Sequence, residues 1–298
     1  MSKAMPSNGF SGQLLRDEPM SRHTSWRVGG PADRYYKPAD VDDLARFLAA
    51  LPAEEAIFWV GLGSNLLVRD GGVRGTVIAT HRVLAGMERR GTSGIRVGAG
   101  VPCAKLARQC VRWGLGEAEF FAGIPGTVGG ALAMNAGAFG GETWRQVAAV
   151  EVINRQGHRQ WRLAAEFEVG YRSVQGPVPE WFLAADMDFP SDDTVDRAAI
   201  REMLARRKAT QPIGELSCGS VFRNPTDDHA ARLIETAGLK GHCIGGARVS
   251  DKHANFIINT GSASAADIEQ LIDHVRSEVE RLHGISLHPE VRVIGEPA

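Results

Sequence analysis

Residues 57–65 read IFWVGLGSN, a short apolar run followed by two glycines one residue apart, and the residues after it decide the fold. A dinucleotide-binding unit of the Rossmann type needs a strand, then G-x-G-x-x-G, then a helix whose N-terminus meets the pyrophosphate. Here Leu66 stands at the third glycine position and no helical periodicity follows. The chain continues instead as LLV (66–68), a turn at Asp70-Gly71-Gly72 and a further strand pattern, GTVIAT (75–80). Strand, glycine turn, strand is the order, and it excludes Rossmann geometry.

Working outward, Arg34 to Pro38 reads as a short strand, and Asp40 caps a helix that carries Val41, Leu44, Phe47 and Leu48 on one face until Pro52 stops it. IRVGAGV (95–101) is a strand. Pro102 then opens a helix bearing Leu106, Ala107, Cys110 and Val111, closed by Gly114. Short strands follow around VAAVEVIN (147–154) and WFLAADMDF (181–189). Residues 191–212, SDDTVDRAAIREMLARRKATQP, read as an acid-capped helix ending in a basic cluster, a natural domain boundary. Beyond it come the loop LSCGSVFRNP (216–225), a short helix around AARLIETAG (230–238) and a strand HANFIIN (253–259). Ser264 and Asp267 then form a capping box for a helix whose apolar face is Ile268, Leu271, Ile272, Val275, Val279 and Leu282. The strand LHPEVRVIG (287–295) closes the chain.

A length of 298 residues implies two or three domains. Apolar and charged fractions of 43% and 23% are ordinary globular values. The net charge of -1 argues against a nucleic-acid or membrane-surface protein, which needs a basic excess. Cysteines at 103, 110, 218 and 243 form no C-x-x-C pair and lie near no histidine at ligand spacing, so neither zinc nor a disulfide framework is indicated. Reduced thiols suit a cytoplasmic protein. The N-terminal residues have no apolar h-region and read as a ragged tail, not a signal peptide.

The stretch 123–141, GIPGTVGGALAMNAGAFGG, holds seven glycines in nineteen residues and no charge. From Phe120 it is long enough to span a bilayer, but its glycines, Pro125 and Asn135 make it a poor membrane helix. In an ordered segment each glycine costs about 0.5–1 kcal/mol relative to alanine, so the cluster needs a reason. One reason is tight turns and close packing. The other is a ligand: successive main-chain N–H groups make concave anion sites, and neither this stretch nor GLGSN contains a lysine or arginine. Together they favour a pyrophosphate held by backbone donors.

HTSWRVGGPAD (23–33), GLGSNLLVRDGGVRGTVI (61–78), FFAGIPGTVGGALAMNAGAFGGE (120–142), YRS (171–173), CGSVFRNP (218–225), LIETAGLKG (233–241), SDKHANFIIN (250–259) and PEVRVIG (289–295) resemble, in order, the UDP-N-acetylenolpyruvoylglucosamine reductases of bacterial peptidoglycan synthesis. The absence of a long tyrosine-bearing insertion resembles the shorter, second type. The resemblance implies an α+β fold of the vanillyl-alcohol-oxidase (PCMH) type. Expected divisions are a tail over 1–22, FAD-binding subdomain 1 over 23–80 with the strand 290–298, subdomain 2 over 81–192, and a substrate domain over 193–289. It further implies non-covalent FAD, NADPH as hydride donor and UDP-N-acetylglucosamine enolpyruvate as substrate, with no obligate protein partner.

Carried over residue by residue, the resemblance makes Arg172, Ser220 and Glu290 catalytic. An arginine can grip a carboxylate with two parallel hydrogen bonds where negative charge develops. Ser220 matches a proton donor to the carbon left behind, and Glu290 lies with Arg172 beside the enolate. The implied FAD contacts are Arg27, Gly61, Gly63, Ser64, Asn65, Leu66, Gly123, Ile124, Pro125, Gly126, Thr127, Gly129, Gly130, Asn135, Ala136 and Gly137. Substrate candidates are Tyr171, Arg207, Lys208, Asn224, His253 and Asn255, with Arg206 beside them. Two departures stand out: Val174 replaces the serine of Y-R-x-S, and Arg223 replaces the lysine of the GSxFKNP motif. Two rivals remain, an oxidase of the same fold that tethers its flavin, for which Cys103 is not far away in sequence, and a non-catalytic sugar-nucleotide binder.

Overall fold

A computed structural model describes residues 4–5, 9–192 and 194–298. Its contacts divide the chain into two compact units. One comprises Met1–Arg16, Arg34–Leu62 and Thr76–Arg206, the other Asp17–Asp33, Gly63–Gly75 and Arg207–Ala298. The expected piece 23–80 is therefore shared between the units, and the boundary falls inside a helix at Arg206/Arg207, well after residue 193. Asp193 itself lies outside the described residues, as do residues 1–3 and 6–8 of the expected tail. The rest of that tail corrects the expectation, because Gln13–Pro19 is a strand. A seven-residue strand needs no apolar run when backbone pairing holds it and only Leu15 and Glu18 are buried.

A five-stranded sheet runs in the order Ala4–Met5, Gln13–Pro19, Pro31–Lys37, Val73–Ala79, Ile57–Val60. Its last two strands are parallel, with Ile57 opposite Thr76 and Val60 opposite Ala79. No helix joins them, so the strand, turn, strand order holds. The helix α1 (Val41–Ala50) is capped by Asp40, whose side chain accepts from Asp43 N–H at 2.7 Å. It buries Leu44, Phe47 and Leu48. A second sheet is antiparallel throughout, in the order Arg159–Leu163, Val147–Ile153, Trp181–Asp188, Gly94–Gly98, Met87–Arg90. Its two outer strands, MERR and RQWRL, were not legible because charged residues suit exposed edges and mask alternation.

The helix α2 (Cys103–Arg112) buries Cys103, Leu106, Ala107, Cys110 and Val111 as its spacing required. The glycine stretch is no membrane span: it folds into a 3₁₀ turn (Glu119–Gly123), the six-residue helix α3 (Val128–Ala133) and a tiny hairpin of Gly137–Ala138 with Gly141–Glu142. No helix of the described residues is long and apolar enough to cross a membrane. The helix α4 (Arg197–Thr210) starts after the acidic residues and buries only Ile200.

In the second unit Leu66–Val68 pairs in parallel with Arg292–Ile294. A three-stranded antiparallel sheet joins Cys243–Ile244, Ala247–Val249 and Ile257–Asn259. The expected strand 253–259 is thus only its last three residues, since His253–Phe256 turn to hydrogen-bond locally. The helices are α5 (Ala230–Thr236) and α6 (Ala265–His283), the latter with the Ser264/Asp267 capping box and Gly284 at φ 67°. Ile268, Leu271, Ile272, Val275 and Val279 are buried, whereas Leu282 in the last turn is 47% exposed. Periodicity fixes the face of a helix, not where its packing partners stop. Trp26, wholly buried, donates to Ile257 O at 2.7 Å and packs in the same core.

Candidate active site

Arg172 occupies the second position of a two-residue turn between Glu168–Gly170 and Ser173–Gln175, with φ 54°. An L-residue there is strained, and glycine is the usual occupant. Its guanidinium donates through Nη1 to Asn135 O and through Nη2 to Gly137 O, each at 3.2 Å, and lies over the Tyr171 ring at 5.4 Å. Asn135, at φ 44°, donates to Gly170 O at 3.2 Å and accepts from Trp144 N–H at 3.1 Å. The glycine stretch and the arginine hairpin are therefore one built feature of the first unit. Tyr171 is exposed, and Val174 packs partly buried against the core.

Glycines in this stretch have two different surroundings. A Cβ on Gly123 would meet the Phe139 ring at 2.5 Å, one on Gly141 the Phe120 ring at 2.4 Å, and one on Gly129 the Ala99 Cβ at 2.9 Å. The N–H groups of Val128 and Gly129 are spent on Val101 O and Ala99 O, each at 2.8 Å. Close packing thus explains more of the cluster than a backbone anion cradle does. Gly130 differs: it is exposed, and a Cβ there would find nothing closer than Thr127 Oγ1 at 4.0 Å, so packing does not require this glycine. Gly61 would place a Cβ 2.5 Å from the same Thr127 hydroxyl, which brings the start of GLGSN against the glycine stretch. Of the neighbouring positions, Pro125 is exposed and Gly126, at φ 125°, and Gly137 are half-buried, whereas Ile124 and Ala136 are buried in the core.

The second unit holds the other residues. Gly63 is buried at φ 62°, and a Cβ there would lie 1.9 Å from His23 O. Arg27 is exposed at φ 56°. Asn65 donates through Nδ2 to Glu290 O at 3.1 Å, and its carbonyl accepts from Arg292 N–H at 3.1 Å. Ser64 and Leu66, on either side, are half-buried. Cys218, two residues before Ser220, points its thiol at Gly63 O and Leu66 O, each at 3.6 Å. Burial pushes that thiol up to about 12, so it stays protonated and can donate. Glu290 N–H donates to Val221 O at 2.7 Å. Ser220, Glu290 and the loop 63–66 are thus brought together.

The remaining substrate candidates are placed less uniformly. Asn255 is buried and spends its amide on Phe222: Phe222 N–H donates to Oδ1 at 2.9 Å and Nδ2 donates to Phe222 O at 2.8 Å. Asn224 accepts from Ala230 N–H at 3.1 Å, at the start of α5. Arg207 donates to Gln211 Oε1 at 2.8 Å, and burial lowers its guanidinium from the ordinary value. Lys208 and Arg206 are exposed, and the Lys208 carbonyl accepts from Lys252 Nζ. His253 stacks edge-on against Phe256 at 4.8 Å; its buried Nδ1 has no partner among the described residues, and burial lowers its pKa. Arg223 is exposed. Sequence reasoning missed Cys218, whose neighbours in the chain give no sign of what the thiol meets. Cys103 is fully buried, with its thiol pushed up to about 12 by burial, and does not suit a tether to flavin.

A model of the UDP-N-acetylenolpyruvoylglucosamine reductase C-terminal domain matches residues 211–294, and one of an FAD binding domain matches residues 32–161. The UDP-N-acetylenolpyruvoylglucosamine reductase of Methylococcus capsulatus is 59% identical over 294 residues, covering 98% of this chain and 96% of that protein. That of Coxiella burnetii is 55% identical, covering 95% and 96%. The crystal structure of UDP-N-acetylenolpyruvylglucosamine reductase from Thermus caldophilus superposes with a TM-score of 0.78 at 30% identity, over 98% of this chain and 99% of that one. The fold is α+β, the FAD-binding fold of the vanillyl-alcohol-oxidase type. A strained arginine turn bonded to the glycine stretch and near-full-length likeness at 59% identity lead to one conclusion: the chain belongs to the UDP-N-acetylenolpyruvoylglucosamine reductase family, FAD-binding oxidoreductases of peptidoglycan precursor synthesis.

Proposed function

We propose that this protein is an NADPH-dependent reductase that converts the enolpyruvyl ether of UDP-N-acetylglucosamine to UDP-N-acetylmuramate in the cytoplasm. Bound FAD supplies the hydride relay from NADPH to the methylene carbon of the substrate. The chain's own residues handle the charge and the proton. Arg172 meets the negative charge that develops over the substrate carboxylate, a task for which a permanently charged, planar fork is suited. Ser220 donates the proton to the adjacent carbon, and Glu290 lies with Arg172 beside that centre. Gly61, Gly63, Ser64, Asn65 and the stretch 123–137 hold the flavin, with Arg27 near them. Residues 193–289 carry the sugar nucleotide, through Tyr171 from outside that span and through Arg207, Lys208, Asn224 and His253 within it. Three buried free cysteines, Cys103, Cys110 and Cys218, suit a reducing compartment.

The observation that carries this reading is the backbone ladder in which Glu290 N–H meets Val221 O at 2.7 Å, one residue from Ser220. Ser220→Ala tests it. The variant should keep FAD and its reduction by NADPH while substrate reduction slows by about 10²–10⁴. Equal turnover would remove the proton-donor role.

A further inference from the structure

We propose that Asn255 is a positioning residue for Ser220, setting the serine's place beside Glu290 and touching no substrate atom. This rests on the reading of Ser220 as proton donor. Asn255 is only 3% exposed. Its side chain brackets the Phe222 peptide, accepting its N–H at 2.9 Å and donating to its carbonyl at 2.8 Å, while its own carbonyl accepts Val221 N–H at 2.9 Å. On the other side of the same segment, Val221 O accepts from Glu290 N–H at 2.7 Å and Arg223 N–H donates to His288 O at 2.9 Å. Ser220 is therefore followed by three residues clamped from both sides. It is preceded by Gly219 at φ 74°, where a Cβ would meet nothing within 4 Å. Between the buried Cys218, whose thiol meets Gly63 O and Leu66 O, and Ser220, Gly219 is a joint no side chain braces, so the bonds that fix the serine next in line lie on its C-terminal side, and Asn255 supplies one wall of that clamp.

The clamp needs one group that donates and accepts side by side, which a neutral amide does and a carboxylate does not. Asn255→Asp has the right shape but loses the donor to Phe222 O until the carboxyl is protonated. Misplacement of a reacting group by about 1 Å costs about 10²-fold in rate.

The test uses FAD-loaded protein and stopped-flow measurement of both half-reactions, with wild type, Ser220→Ala, Asn255→Ala, Asn255→Asp and the Ser220→Ala/Asn255→Ala double variant. Asn255→Ala should slow flavin reoxidation by the substrate about 10- to 100-fold. Reduction by NADPH and the substrate Kd should hold within about twofold of wild type. In the Ser220→Ala background the same change should have no further effect, because a residue acting through the serine is silent once the serine is gone. Asn255→Asp should regain rate as pH falls through the carboxyl range, a limb absent from wild type; this variant decides the matter if Asn255→Ala does not fold. Weaker substrate binding with unchanged chemistry, equal losses in both half-reactions, or an additive double variant would overturn the proposal. A Ser220→Ala protein with full activity would instead overturn the reading beneath it.

Discussion

Arg172 is held where glycine would be more comfortable, and that can be weighed. Its φ of 54° in the turn between Gly170 and Ser173 costs an L-residue about 1–2 kcal/mol. Glycine avoids this but loses about 0.4–1 kcal/mol through the greater freedom of the unfolded chain. Arg172→Gly should therefore be more stable than Arg172→Ala by about 0.5–1 kcal/mol. Both variants lose the two bonds to Asn135 O and Gly137 O, worth about 0.5–1.5 kcal/mol each at a half-exposed site. Alanine should then fall about 1–3 kcal/mol below wild type and glycine about 0.5–2 kcal/mol below it. Denaturant unfolding of the FAD-loaded proteins measures the gap directly, and in a thermal scan it corresponds to about 1–4 °C. Both variants, and Arg172→Lys, should lose most substrate reduction because none presents the planar fork. An alanine variant as stable as the glycine variant would refute the strain argument. Wild-type turnover by Arg172→Gly would refute the role of the cation.

Two glycines separate strain from collision. Gly140→Ala, at φ 84° with open space around the new Cβ, should cost only the backbone strain of about 1–2 kcal/mol. Gly63→Ala should cost more than that and lower FAD content, because its Cβ would sit 1.9 Å from His23 O; equal losses, measured by unfolding and by flavin absorbance, would discredit the reading of the loop. Acid stability should depend on Asp43. Burial pushes its carboxyl up, but hydrogen bonds from the Tyr36 hydroxyl and from Ala39 and Ser11 N–H outweigh that and hold it below the ordinary value. Its contribution is present above the unfolded carboxyl range near pH 4 and lost as pH falls through the lower folded value. Unfolding from pH 7 to 3 should show that limb in wild type and a flatter one in Asp43→Asn. An unchanged limb would assign the acid sensitivity elsewhere.

The sequence by itself determined what depends on neighbours in the chain. Helix faces repeat every three to four residues, so the buried side chains of α2 were legible, as were those of α1 apart from Val41 and Asp43 and those of α6 apart from Leu282. The order strand, glycine turn, strand after Ile57 ruled out a Rossmann unit, because that fold demands a helix at one fixed place. The ordered motifs carried the family, and with it Arg172, Ser220 and Glu290 as the residues to examine.

Tertiary structure alone decided what depends on residues far apart in sequence. Charged edge strands such as Met87–Arg90 exist because the neighbouring strand offers its backbone, which no local pattern records. Gly123, Gly129, Gly137 and Gly141 answer to Phe139, Ala99, Gly141 O and Phe120, which the folded chain brings against them, while Gly130 and Gly140 face open space. Asn255, which in sequence suits a substrate contact and a packed, hydrogen-bonded role equally, is turned inward onto Phe222, 33 positions away. A side chain's partners are set by where the chain returns to, and hydrogen bonds reach only about 3 Å, so the purpose of such a residue is fixed only when the fold closes around it.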